Sequence, residues 1–314
     1  MMLLGLAAIW GSSFMFIEIA LRDLAPSTVI LARIASGALA LGLYLVLAGF
    51  DFRSLRPYVA PLAALGLINT ALPFFLITWG QTHIDSGLAA ILNASAPLFT
   101  ALFALPLDRT QRVGGLRLAG VLLGFAGVVL LVGFELGGGA AAVAGGLAVV
   151  VASALYGVGG LYAGRRFDGL PFPLVAFGTL LWATLFALPL GLAQATAPGW
   201  EAVAAVLYLG VAATGAAYLL YFGLIAGAGA SKAVLVTYLV PALALVYGAV
   251  FLDEQVTAVA LAGLALVLAG VALGTGVARN GGSRRRMAAK RAPSGAFARS
   301  GSAAADAEPA RQRT

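Results

Sequence analysis

The chain has 314 residues, 61% of them hydrophobic and 10% charged, with a mean hydropathy of +1.00 and a formal charge of +7. These proportions exclude an ordinary soluble domain, which is about half apolar and about a quarter charged. The absence of cysteine and the single histidine, His83, exclude disulfide scaffolds, cysteine zinc sites, thiol catalysis and histidine metal triads.

In chain order, apolar runs able to cross a bilayer core of roughly 30 Å are predicted at 3–20, 27–48, 57–79, 86–107, 116–133, 143–163, 171–193, 202–222, 233–251 and 256–277. The expected fold class is therefore an all-α integral membrane protein with ten transmembrane helices. The first run lacks the basic flank and small-residue cleavage site of a signal peptide, so it counts as a span. Lysine and arginine fall in alternate loops: Arg53, Arg56, Arg109, Arg112, Arg117, Arg165, Arg166 and Lys232 share one side with the basic stretch after residue 278. The other side carries Arg22 with Asp23, Asp85, Glu135, Glu201, Asp253 and Glu254. The positive-inside rule then puts both termini in the cytoplasm of a cell whose plasma (inner) membrane holds the protein. The basic charge is a topology signal, and no nucleic-acid partner is expected. Residues 279–314, rich in Gly, Ser, Ala and Arg, are expected to be a disordered basic cytoplasmic tail.

A shift of about 145 residues aligns the two halves. Trp10-Gly11 falls on Tyr156-Gly157, Pro26 on Pro171, Gly66 and Thr70 on Gly210 and Thr214, Asn93 and Pro97 on Thr237 and Pro241, and Gly120 and Gly127 on Gly263 and Gly270. The expected units are 1–138, 139–278 and the tail. Five spans per half is an odd number, so the second half must enter the membrane inverted. Inverted repeats are the build of secondary transporters, whose pseudo-symmetric halves exchange roles around a midplane site.

Polar residues at mid-depth fall in equivalent spans of the two halves. Trp10, Ser12 and Ser13 lie in span 1, Asn69 and Thr70 in span 3, and Asn93, Ser95 and Pro97 in span 4. Ser153 and Tyr156 lie in span 6, Thr214 and Tyr218 in span 8, and Thr237, Tyr238 and Pro241 in span 9. An unmet polar group in hydrocarbon costs several kcal/mol, so their gathering at one depth predicts a ring of six helices around a central cavity. Its expected lining is Trp10, Ser13, Asn69, Asn93, Tyr156, Tyr218 and Thr237. Pro97 and Pro241 are expected to break their helices and free the carbonyls of Asn93 and Thr237, four residues back. The alternative is that these groups only bond neighbouring helices.

Glu18 and Arg33 are the intramembrane charges. At similar depth, they are expected to form an ion pair fixing spans 1 and 2, with proton coupling through Glu18 as the other option. His83 is expected in or near a solvated loop. The small-xxx-small pairs Gly120/Gly124 and Gly270/Gly274 are expected to pack spans 5 and 10 closely, with a homodimer as a further use.

The stretches AAIWGSSFMFIEIAL, SGLAAILNASAPLFTALFA, LRLAGVLLGFAGVVLLVG and ASKAVLVTYLVPALALVYGAVFLDEQVTAVALAGLALVLAGVALG resemble the drug/metabolite transporter superfamily, specifically EamA-type members with two EamA repeats. The resemblance covers residues 1 to about 277. It implies ten helices with cytoplasmic ends, a central cavity, and export or uptake of small polar metabolites such as amino acids or related compounds. One departure is present. The Gly-Glu pair such proteins carry after each proline helix is Asp253-Glu254 in the second half, while the first half has Leu107-Asp108-Arg109.

An enzyme would need acids, bases or metal ligands clustered at an interface, and the acids here stand singly except Asp253-Glu254. No Gly-rich Walker loop precedes a Lys-Ser or Lys-Thr pair, so transport driven directly by ATP is not expected. No cofactor and no metal are expected. A channel needs polar residues along a whole pore, whereas here they gather at mid-depth. With Glu18 structural, the expected drive is that of a facilitator or a weakly coupled exporter.

Overall fold

The computed structural model describes residues 1–104, 115–167, 169–229 and 235–274, all within one compact unit, Met1–Val277. The Asp108-Arg109 corner, Asp168, Lys232 and the basic tail lie outside the described residues. Every regular element among the described residues is helical.

The helices are α1 (Met2–Leu21), α2 (Pro26–Leu47), α3 (Val59–Gly66), α4 (Leu72–Gly80), α5 (Ser86–Asn93), α6 (Ala96–Ala104), α7 (Gly115–Phe134), α8 (Gly139–Arg166), α9 (Phe172–Ala193), α10 (Trp200–Leu207), α11 (Ala217–Ala228), α12 (Leu235–Phe251) and α13 (Ala258–Gly274). Eight helical stretches are long and apolar enough to cross a membrane; α12 and α13 are apolar but 17 residues each. At about 1.5 Å per residue these two span about 26 Å, and the described residues end at one end of each.

Proline shapes the starts of several helices. Pro26 and Phe172-Pro173 open α2 and α9, where a missing N–H costs nothing. Basic Arg165 and Arg166 end α8, which complements its carbonyl end.

Two spans are not plain α-helix. Between α3 and α4 the chain widens into a π-helical turn, Leu67–Ala71, and between α10 and α11 into a longer one, Tyr208–Ala216. The first has a visible cause. Pro73 would abut the carbonyl of Asn69, and widening the turn relieves that contact. In the second, the Thr214 hydroxyl donates to the carbonyl of Leu209, five residues back, at 2.8 Å. Span 4 is interrupted at Ala94-Ser95, between α5 and α6, with Pro97 the second residue of α6. Pro241 does not break its helix, contrary to expectation: α12 runs through it from Leu235 to Phe251. Helices tolerate a proline where neighbours re-satisfy the freed carbonyl.

The helices pair across the two halves. α7 lies along α13, α2 along α9, α1 along α12, and α8 along both α4 and α6. Glycines set the close approaches. A Cβ at Gly11 would meet Leu243 and the Val240 carbonyl on α12, and one at Gly157 would meet Phe99 and the Thr100 amide on α6. A Cβ at Gly66 would meet the Thr179 carbonyl on α9 at 2.9 Å, and one at Gly210 the Arg33 carbonyl on α2 at 2.6 Å. Gly120, Gly124 and Gly127 of α7 face Gly274, Gly270 and Gly263 of α13. The large residues left exposed, such as Leu39, Leu43, Leu122, Val129, Leu181 and Val250, form the apolar surface that faces lipid.

Candidate functional site

The polar residues at mid-depth are organised by one face of α8. Ser153, Tyr156 and Gly159 recur every three residues along it and so share one side. At the first turn, the Ser153 hydroxyl lies 3.2 Å from the Leu92 carbonyl and 3.4 Å from that of Asn93. Beside the break the Leu92 carbonyl also accepts from the Ser95 amide and hydroxyl, and Ser153, with one proton to donate, ties this carbonyl pair to the neighbouring helix. The Asn93 side-chain oxygen is buried and has no hydrogen-bond partner.

At the third turn, the absence of a side chain on Gly159 admits Asn69: a Cβ there would collide with the Asn69 side chain. Asn69 belongs to the π-helical turn Leu67–Ala71, and its neighbour Thr70 is fully buried with an unpartnered hydroxyl. At the middle turn, Tyr156 lies within electrostatic reach of Arg33 and Tyr218. Tyr218 stands on α11 and stacks on Phe222, with ring centroids 6.1 Å apart at 20°.

Arg33 is not paired with Glu18. Its Nε donates to the Thr214 hydroxyl at 3.2 Å, and its guanidinium carbon lies 4.3 Å from the centre of the Phe74 ring. α2 reaches this position because Gly37 and Gly210 bring it against the π-helical turn that carries Thr214. The expected ion pair fails because Arg33 is drawn inward to α4, α8 and the second π-helical turn. Glu18 instead lies within electrostatic reach of Glu254, Arg22 and Asp85, with one carboxylate oxygen buried and unpartnered.

The other expected lining residues are placed differently. Trp10 donates from its indole to the Ala213 carbonyl at 3.2 Å and packs on Tyr221 at 5.4 Å. Ser13 is buried and bonds the Ile9 carbonyl of its own helix at 3.1 Å. Ser12 meets the Tyr208 hydroxyl at 2.7 Å. Thr237 is half-buried on α12. Phe74 is a site residue that sequence reasoning did not assign, and Arg33 was expected there only as the partner of Glu18. The signal for Arg33 was a charge at depth, and it was read as half of an ion pair.

A second polar cluster gathers around Glu254 and Asp85. The Glu254 carboxylate accepts from the backbone amides of Ser86 and Gly87, at 2.9 and 3.0 Å, and so caps the start of α5. Asp253 before it takes a left-handed conformation, with φ of 58°. A pocket here is lined by Asp85, Glu135 and Glu254 with apolar neighbours. Burial, then the nearby Glu254, pushes the Asp85 carboxyl above its ordinary range. Burial, then Asp85, does the same to Glu135. His83, expected to be solvated, is half-buried, with its ring against Trp79 at 4.6 Å. Among the described residues no group of three acids or histidines could hold a metal ion.

The fold recurs in a solved crystal structure that is 22% identical, covers 90% of this chain and 97% of that one, and superposes with a TM-score of 0.65. The chain is 31% identical over 277 residues to a probable terminal-alkyne amino-acid exporter of Streptantibioticus cattleyicolor, covering 84% of this chain and 89% of the relative. It is 22% identical to the uncharacterized transporter YoaV of Bacillus subtilis, over 87% of this chain and 95% of the relative. It is 28% identical to the uncharacterized inner membrane transporter YedA of Escherichia coli K12, over 52% of each. The EamA-like transporter family matches residues 1–133 and 143–275, one segment in each half. The chain belongs to the EamA-like transporter family.

Proposed function

We propose that this protein is a secondary transporter that exports small polar metabolites of the amino-acid class by alternating access through a cavity at mid-depth. The observation that carries this reading is the state of its polar groups. The side chains of Asn69, Asn93, Tyr156 and Tyr218 make no hydrogen bond among the described residues, although all four stand within membrane-spanning segments. Groups that only glued helices together would be bonded to them. Unbonded amides and phenols gathered along one face of α8 suit a ligand that supplies the partners. Their confinement to that region also favours a gated site over a channel lined along its length.

The proposal includes ten spans in two inverted repeats, both termini in the cytoplasm and residence in the inner membrane. Matched contacts support the repeat. The packing of Gly11 against α12 has its counterpart in that of Gly157 against α6, and the packing of Gly66 against α9 in that of Gly210 against α2. The charge asymmetry of the loops supports the orientation. The name of the Streptantibioticus relative supports amino acids and export. The glycine seam is consumed between α7 and α13 within one chain, so the proposed transport unit is the single chain, and a homodimer would need another surface.

The structural role for Glu18 rested on a contact with Arg33 that does not form. A buried, unpartnered Glu18 oxygen, with Glu254, Arg22 and Asp85 within electrostatic reach of the group, makes proton coupling through Glu18 the second reading. Loss of uphill but not downhill flux in Glu18→Gln vesicles carrying a pH gradient would support it.

The chain has no cysteine, which makes the cavity directly testable. Single cysteines at Asn69, Asn93 or Tyr218 should react with charged thiol reagents, and substrate should protect them. A cysteine at lipid-facing Leu43 should not react. Equal inertness at all four positions would rule out the cavity.

A further inference from the structure

Arg33 is the feature of this site that the function above does not use. It sits eight residues into α2, about 10 Å along the helix from its start at 1.5 Å per residue. A guanidinium keeps its charge at any physiological pH and is costly to hold in an apolar setting without a counter-charge. Among the described residues no carboxylate pairs with it. The ionisable groups that act on it are the phenols Tyr156 and Tyr218, which are neutral near pH 7.

Its bonding is also incomplete in a specific way. Nε is taken by Thr214 and one face is covered by Phe74, which fixes the plane of the group. Among the described residues the two Nη groups donate no hydrogen bond, and neither is fully enclosed. An anchored guanidinium with its outer N–H groups unused matches the two oxygens of a carboxylate. The second half of the chain has no matching charge: Gly210 meets the Arg33 carbonyl where Gly66 meets that of Thr179, an uncharged residue.

We propose that Arg33 is the substrate-binding residue that receives the carboxylate of the transported compound, so that the substrate class is organic carboxylates, α-amino acids included, and excludes their esters. This rests on the proposed transport function and sharpens its specificity. In the empty protein the uncompensated charge is a liability; when substrate enters, its carboxylate becomes the counter-ion, with Tyr156 and Tyr218 as neutral donors beside it.

The test uses the full chain in detergent and in proteoliposomes, with propargylglycine, leucine and phenylalanine against their methyl esters as probes. Thermal unfolding should shift with the acids and not with the esters. Arg33→Gln should lose that shift, with affinity lower by about ten- to a hundredfold, the worth of hydrogen bonds to a charged group. Arg33→Lys should recover part of it, because it keeps the charge without the planar fork. Without ligand, Arg33→Gln should unfold no lower than wild type, since it removes an uncompensated charge. Esters that bind as well as the acids, a wild type that no carboxylate shifts, or an Arg33→Gln that keeps the shift each overturns the proposal. A large drop in the unliganded stability of Arg33→Gln does so too, by marking the residue as structural. Acid-specific binding lost in Arg33→Gln, without any flux in vesicles, would instead leave the proposal standing and remove the transport reading.

Discussion

Asn93 and Ser153 face each other across α5 and α8 and play opposite parts. The Ser153 hydroxyl is fully buried and bonded to carbonyls on both helices, including Val149 at 3.0 Å. Ser153→Ala removes that hydroxyl bond between the two helices and should cost about 1 kcal/mol of stability. The Asn93 side chain has nothing to lose within the chain. Asn93→Ala should leave thermal stability close to wild type while lowering flux severalfold, as read in detergent unfolding and in vesicles. A fall in stability larger than that of Ser153→Ala would make Asn93 a structural residue. Glu254 is the reverse case again: its carboxylate caps two amides of α5, so Glu254→Ala should cost about 1 kcal/mol, the usual worth of an N-cap, with Gln recovering part. The polar types at mid-depth could be read from sequence, because hydrocarbon makes them conspicuous. Their division into bonded and unbonded groups could not, because it depends on which neighbour each rotamer meets.

Helix positions were legible to within a few residues because the apolar runs end in Pro, Gly and charged clusters. The irregular turns were less so. The Asn69-Pro73 spacing repeats that of Asn93-Pro97, yet one resolves as a widened turn and the other as a break. Local sequence states that a carbonyl must be freed, and packing decides how. Pro241, in an uninterrupted helix, is a third outcome of the same chemistry. The glycine seam is an element-scale device whose pattern did announce itself. A side chain at Gly270 would run into the backbone of Gly124. Gly270→Leu should therefore separate α7 from α13 and cost at least about 2 kcal/mol, seen as a lower unfolding temperature and easier proteolysis. Gly210→Ala should press on the Arg33 carbonyl and Ser36, so its expected signature is weaker substrate binding with a smaller stability loss.

For the molecule as a whole, the cluster of Asp85, Glu135 and Glu254 around one pocket carries a pH response. Burial and then Glu254 raise the Asp85 carboxyl, and burial and then Asp85 raise that of Glu135. A raised carboxyl favours the folded state fully below its ordinary value of about 4, and that contribution is lost as pH rises through the raised value. Asp85→Asn should accordingly raise the unfolding temperature at pH 7 and have little effect at pH 4. The opposite order would show that ionised Asp85 is stabilised. Sequence alone carried the membrane class, the two-fold repetition and the family, because these depend on composition and spacing over many residues. It misplaced Arg33, because a charge at depth names no partner until the helices are assembled. The central claim, a carrier with one alternating site, is tested most directly by counterflow. Proteoliposomes preloaded with unlabelled propargylglycine and diluted into a trace of the labelled compound should accumulate label transiently above equilibrium, without ATP and without an imposed ion gradient. A monotonic approach to equilibrium, with no overshoot at any preload concentration, would contradict the account and indicate a pore.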